Sequence, residues 1–191
     1  MATKDDIITL PNKHLRQRST RVGLITDDIR KLISKMEEAT LDWEDSRSHE
    51  VGVALAAVQI DELLRIVVIR SNFDDKNDRT FRTFINPEIV KYEGEIQDDY
   101  EGCLSIQDIY GKVKRHTRVR IKAKDIAGKE FRLTVDGFVA RIFQHEIDHL
   151  NGIVFVDHIK DNKDAFYRLD KDGRLEELNY ENDIQNNSIL W

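Results

Sequence analysis

Three patterns predict an α+β fold, with antiparallel or mixed β-sheets packed around a buried central helix and a second helix near the N-terminus. Residues 137–150 place Phe138, Val139, Ile142, Phe143, Ile147 and Leu150 around most of a helical circumference, the mark of a helix buried on nearly every side. Val119, Ile121 and Ala123 alternate with Arg118, Arg120, Lys122 and Lys124, and Phe131, Leu133 and Val135 return after Ala127-Gly128-Lys129, which reads as a hairpin of half-buried strands. Ile29, Leu32, Ile33, Met36 and Trp43 recur at helical spacing behind Thr26-Asp27-Asp28, a cap residue followed by two first-turn acids.

The first helix is expected to end near Leu41 or Trp43, with Glu44 to Glu50 as a polar loop. Leu64 to Arg70 reads as a buried strand and Ser71 to Thr80 as a surface loop. Phe81 to Ile85 and Glu88 to Tyr92 are strand candidates, broken at Asn86-Pro87 because proline cannot donate to a ladder. The hairpin follows, then the central helix, on which Arg141, Gln144 and Asp148 form one narrow polar stripe. Asn151-Gly152 is its stop. From Asp157 onward nine acids face five Lys and Arg, and Phe166 to Leu169 with Leu175 to Leu178 suggest a small hairpin turning at Asp172-Gly173. No repeat or second domain is visible. Residues 1–191 read as one domain, in which 161–191 is a polar, acidic extension.

Composition narrows the function classes. A chain of 191 residues is long enough to bury a real core. Charged residues make up 35% and the net charge is -6, which argues against a broadly basic nucleic-acid binder. The basic strand Arg118 to Lys124 is more simply a solvated face. One cysteine, Cys103, cannot form an internal disulfide and fits a reducing compartment. The N-terminus carries acids early and no long apolar core follows, and runs such as Ile66 to Ile69 are far too short to span a bilayer. A cytoplasmic protein without a membrane partner is expected.

The chemistry concentrates at Gln144-His145-Glu146-Ile147-Asp148-His149-Leu150-Asn151-Gly152. His-Glu-x-x-His on a helix is a metal-hydrolase pattern. Histidines four residues apart share a face, so both rings can reach one cation, and the glutamate between them can reach a water that the cation activates. The bland alternative is two core histidines bonded to backbone, with Glu146 in an ion pair. The third ligand decides the enzyme type. A long protease pattern continues to a third histidine, but that position holds Phe155, and His158 is out of register. Glu176, Glu177 and Glu181 could serve only without a supporting motif. Cys103 is the better candidate, because one thiolate and two imidazoles leave a fourth position for water.

Glu101-Gly102-Cys103-Leu104-Ser105, the helix motif, and Gly52-Val53-Ala54-Leu55-Ala56-Ala57-Val58-Gln59 together resemble peptide deformylase, a family that removes the formyl group from N-formylmethionine on new proteins. The resemblance covers roughly residues 5 to 160. It implies that Cys103, His145 and His149 hold one divalent metal, usually ferrous iron and often replaced by zinc, nickel or cobalt. It further implies Glu146 as general base, and the Gln59 amide with the Leu104 backbone N–H as oxyanion donors. Phe138, Ile142 and Leu104 become candidate walls of a methionine slot, and Gly52, Val53 and Ala54 a strand edge for the peptide. Gly102 would permit close approach around Cys103, and Glu101 could brace that loop through Arg141. The implied partner is the nascent formylmethionyl chain, with any ribosome contact transient; the acidic tail argues against docking through a basic C-terminal helix. The family's second glycine is replaced by Ala54, a change that costs little if its φ is negative and strains the strand if positive.

Overall fold

The computed structural model describes residues 1–188 and 190. Helix α1 spans Asp27–Asp45, and the Thr26 side chain accepts from the Ile29 N–H at its start. Strands β1 (Ala54–Ala56) and β2 (Ile66–Arg70) follow, then two long strands, β3 (Phe81–Cys103) and β4 (Ile106–Lys124), and β5 (Glu130–Asp136). Helix α2 spans Gly137–Leu150, and β6 (Phe166–Leu169) and β7 (Leu175–Glu177) close the order. All pairings among these strands are antiparallel, in one connected sheet ordered β1-β2-β3-β4-β6-β7, with β5 also on β4.

The two helices sandwich the β1–β2 corner, and strand alternation assigns each side chain to one of them. Leu55, Ile66 and Val68 pack with Ile33, Met36, Ala39 and Trp43 of α1. Ala54, Ala56, Val67 and Ile69 pack with Ala140, Ile142, Phe143, Ile147 and Leu150 of α2. With both faces covered, β2 has no polar side, hence its unbroken apolar run. A third core joins Leu10, Leu15, Val113 and Phe155 to the tail residues Phe166, Leu178 and Ile184.

Two local expectations change. Helix α1 runs on to Asp45 because Glu44 is buried against Arg70 of β2, Nη1 to Oε2 being 2.7 Å. The Glu44 carboxylate also accepts from the Gly52 N–H at 3.0 Å, so this end of the helix sets the chain entering β1. The break at Asn86-Pro87 is a bulge inside a continuous strand: the register shifts between Ile85 and Glu88, and Asn86 takes φ 53°. Its side-chain amide exchanges two 2.8 Å bonds with the Val22 backbone, which holds the unusual conformation. The polar stripe on α2 is itself largely inside, as expected for a buried helix. Arg141 and Gln144 are buried, Gln144 bonding the His116 backbone N–H and C=O like a strand neighbour. The basic face of β4 is neutralised by Arg118–Asp136, Arg120–Glu93 and Lys122–Glu130 pairs.

Candidate metal centre and active site

Strand β3 ends at Cys103, and the turn through Leu104 and Ser105 leads into β4, with Cys103 opposite Ile106. Helix α2 crosses beneath this turn and brings His145 and His149 to it. One donor atom from each of Cys103, His145 and His149 lies within 4.8 Å of the other two. Cys103 Sγ is 3.2 Å from His149 Nε2. Glu176, Glu177 and Glu181 are not part of this cluster. Phe155 is buried and stacks on the His145 ring at 6.2 Å, while His158 bonds Asp148 at 2.7 Å.

Glu101 organises the cluster from behind. Its carboxylate accepts from Arg115 Nε (2.8 Å) and Nη2 (3.0 Å), from Arg141 Nη1 (2.8 Å) and from His145 Nδ1 (2.9 Å). Burial works to raise the Glu101 pKa, but the bonds from His145 and Arg115 outweigh it and hold the carboxyl well below the usual range. An ionised carboxylate only accepts, so His145 Nδ1 carries the hydrogen and Nε2 is left for a cation. Burial disfavours charge on both imidazoles. Cys103 and Glu101 nevertheless raise His145 well above its ordinary value, and the neighbouring His145 charge adds to the lowering of His149. A sulfur and two ring nitrogens converging with a carboxylate behind one ring are a donor set that fits a first-row divalent ion.

Glu146 is buried, and its Oε2 has no hydrogen-bond partner among the described residues. Burial pushes its carboxyl up to about 7, with Glu101 adding and His145 opposing. Gln59 lies in a short 3-10 turn, Ala57–Ile60, directly after β1. The Ala56 N–H donates to its Oε1 at 2.8 Å, which orients Nε2 toward Ser105 Oγ at 3.1 Å and Cys103 Sγ at 3.6 Å.

Gln59, Cys103, His145 and Glu146 line one cavity of about 380 Å³. Its walls include Leu104, Phe138 and Ile142, and also Val53, Ala54 and Gly102. Phe138 is half exposed and meets Phe73 edge-on at 5.3 Å. Ala54 is absent from the positive-φ residues and pairs with Ile69 in ordinary extended backbone. Gly52 stands outside the cavity: a Cβ there would lie 2.8 Å from the Thr40 carbonyl oxygen of α1. At Gly102 the close neighbour is the Tyr110 ring, 2.5 Å from where a Cβ would be. Strand β1 ends the sheet, and Val53 and Ala54 at its start border the cavity.

Two residues of this constellation escape the sequence reading. Arg115 holds Glu101, and its signal was present: the inward odd-numbered phase of Val119, Ile121 and Ala123, run back through Val113, puts Arg115 inside. Ser105 accepts from Gln59; it closes the Glu101–Ser105 motif, but nothing there marks it as that acceptor.

The polypeptide deformylase family model matches residues 4–165. The chain is 42% identical over 163 residues to a peptide deformylase of Rhodopseudomonas palustris, covering 84% of this chain and 88% of that one. It is 39% identical over 174 residues to a peptide deformylase of Thermomicrobium roseum, covering 90% and 94%. Among solved structures it is similar to a Synechococcus elongatus peptide deformylase crystallised with actinonin, at a TM-score of 0.74 and 35% identity over 82% of this chain and 80% of that one.

Proposed function

Since the chain belongs to the polypeptide deformylase family, we propose that this hydrolase removes the formyl group from N-formylmethionine at the start of newly made peptides, with Glu146 as general base. The observation that carries the reading is the clustering of Cys103, His145 and His149, with Cys103, His145, Glu146 and an oriented Gln59 amide lining one cavity and one Glu146 oxygen unpartnered among the described residues. Cys103, His145 and His149 would hold one divalent cation, ferrous iron by family resemblance, which when bound lowers the pKa of water and polarises the formyl carbonyl.

Glu146 takes a proton from water as the water oxygen bonds to the formyl carbon, and returns it to the amine as the C–N bond breaks. A buried carboxyl with an oxygen unpartnered among the described residues suits both halves of that exchange. The oxyanion formed between these steps is met by Gln59 Nε2 and the Leu104 N–H, donors already held in place by the Ala56 bond and the β3–β4 turn. Leu104, Phe138 and Ile142 form the methionine slot, and the edge of β1 at Val53 and Ala54 receives the peptide backbone. Gly52 supports that edge through Glu44 rather than by touching substrate. Formate and a free N-terminal amine leave.

We read residues 1–191 as one domain, supported by the core that Phe166, Leu178 and Ile184 share with Leu10 and Val113. No helix among the described residues is long and apolar enough to cross a membrane; the cytoplasm is the compartment where nascent substrates arise.

The test is anaerobic purification, metal analysis, and formate release from formyl-Met-Ala-Ser beside cleavage of the unformylated peptide. Formate release that falls at least about a hundredfold in Glu146→Gln, with metal retained, is the expected result. Intact metal without formate would overturn the reading, and loss of the unformylated peptide would favour a peptidase.

A further inference from the structure

The family match stops at residue 165, yet the chain beyond it returns to the cavity. Leu169, Gly173 and Leu175 line the same space as Gln59, Cys103 and Glu146. The hairpin carrying them is firmly seated. Strand β6 pairs with β4 at Tyr110↔Tyr167 and Gly111↔Phe166, with Phe166 fully buried beneath. Its turn is closed by the Asp170 N–H on the Arg174 carbonyl (2.8 Å) and by the Asp170 carboxylate, which accepts from the N–H groups of Asp172 (2.8 Å) and Arg174 (2.7 Å). The turn rests on the loop after α1, a Cβ on Gly173 falling 3.2 Å from His49 Cγ.

Leu169 and Leu175 stand directly opposite each other in this hairpin, so their side chains share one face. Both are partly exposed, and neither belongs to any of the three cores. Two leucines outside every core, held on a fixed turn at a substrate cavity, offer their remaining apolar surface to whatever enters it. The hairpin's neighbours are β4 and the His49 loop, so the pair faces the cavity from a separate element, not from the helix carrying His145 and Glu146.

We propose that Leu169 and Leu175 form a specificity wall for the peptide beyond its formylmethionine, favouring an apolar side chain at the third residue over a charged one. The proposal rests on the deformylase reading for the identity of the peptide, and continuity with the cavity is what selects that occupant.

The experiment compares formyl-Met-Ala-Leu with formyl-Met-Ala-Asp on the metal-loaded protein, and measures binding of the unformylated Met-Ala-Leu and Met-Ala-Asp by calorimetry. The expected result is about a tenfold preference for leucine in kcat/KM, carried by KM, with the same order in affinity. In the double variant Leu169→Ser, Leu175→Ser the preference collapses toward one, while Leu169→Met, Leu175→Met keeps it. Equal treatment of the two peptides by the native protein overturns the proposal, whatever the variants' stability. So does a preference that survives in a folded serine variant. Absence of formate from both peptides, with leucine-selective binding that the serine variant loses, would sink the deformylase reading and leave the wall standing.

Discussion

Glu101 is a buried carboxylate whose charge is met by Arg115, Arg141 and His145, so its replacement disturbs three side chains at once. Glu101→Ala leaves the buried Arg141 guanidinium without its carboxylate and Arg115 with Asp148 alone, a defect that costs about 3–5 kcal/mol. It also frees the His145 ring, and losing such an outer partner weakens metal affinity roughly 10–100-fold. Denaturant titration and metal competition should register both effects; a variant within 1 kcal/mol of the parent would show that the arginines find other partners. Ala54 is the opposite case. Its methyl group departs from the family pattern, but its backbone is ordinary strand, so no strain awaits relief. Ala54→Gly should change kcat/KM for formyl-Met-Ala-Ser by less than about tenfold, and should lower stability by about 0.5–1 kcal/mol through the greater freedom of glycine when unfolded. A larger gain in activity would mean that the methyl group obstructs substrate.

Elements legible in the sequence are those whose side-chain period has one explanation. Helix α2 has the bounds its apolar surround predicts, Gly137–Leu150, and the β4–β5 and tail hairpins have the predicted partners. What escaped are features in which a polar side chain does structural work at long range. Asn86-Pro87 looks like a break because the bonds to Val22 that stabilise the bulge come from 64 residues away. The end of α1 looks like a surface because Arg70, which makes Glu44 an interior residue, lies 26 residues on. The metal trio was legible for a related reason: Cys and His in such short motifs have few alternative roles, whereas Arg115 lies in no motif and Ser105, though inside one, is a residue type with many roles. The Glu44 contact carries a prediction for the element. Glu44→Ala removes the anchor of Arg70 and of the Gly52 N–H together. The expected loss is about 3–5 kcal/mol, with formate release declining because the β1 edge loosens. A folded variant with normal stability would mean that Arg70, already bonded to the Asp78 and Lys76 carbonyls, is satisfied without it.

Across the whole molecule, the trio joins parts that pack into different cores. Cys103 ends β3 beside the core that includes the tail, while α2, which carries the two histidines, is built into the core shared with β1 and β2. A cation held by Cys103, His145 and His149 would therefore add a link between the β3–β4 hairpin and α2, beside those of Arg141 and His145 to Glu101 and of Gln144 to His116. Any ion bound by the folded chain and not by the unfolded one stabilises the fold by mass action, about 2.7 kcal/mol when free metal is a hundredfold above its dissociation constant. For a chain of this length each kcal/mol moves Tm by about 2–4 °C. Chelation should thus lower Tm by roughly 5–10 °C, abolish formate release, and leave the far-ultraviolet circular dichroism intact, because the sheet and both helices have cores that do not depend on the ion. Restoring zinc or ferrous iron should recover the melting temperature, and His149→Ala should show no metal-dependent shift. A melting temperature indifferent to chelation in the parent chain would mean that the three donors do not act as a metal site in solution, and the proposed general-base role of Glu146 would fall with them.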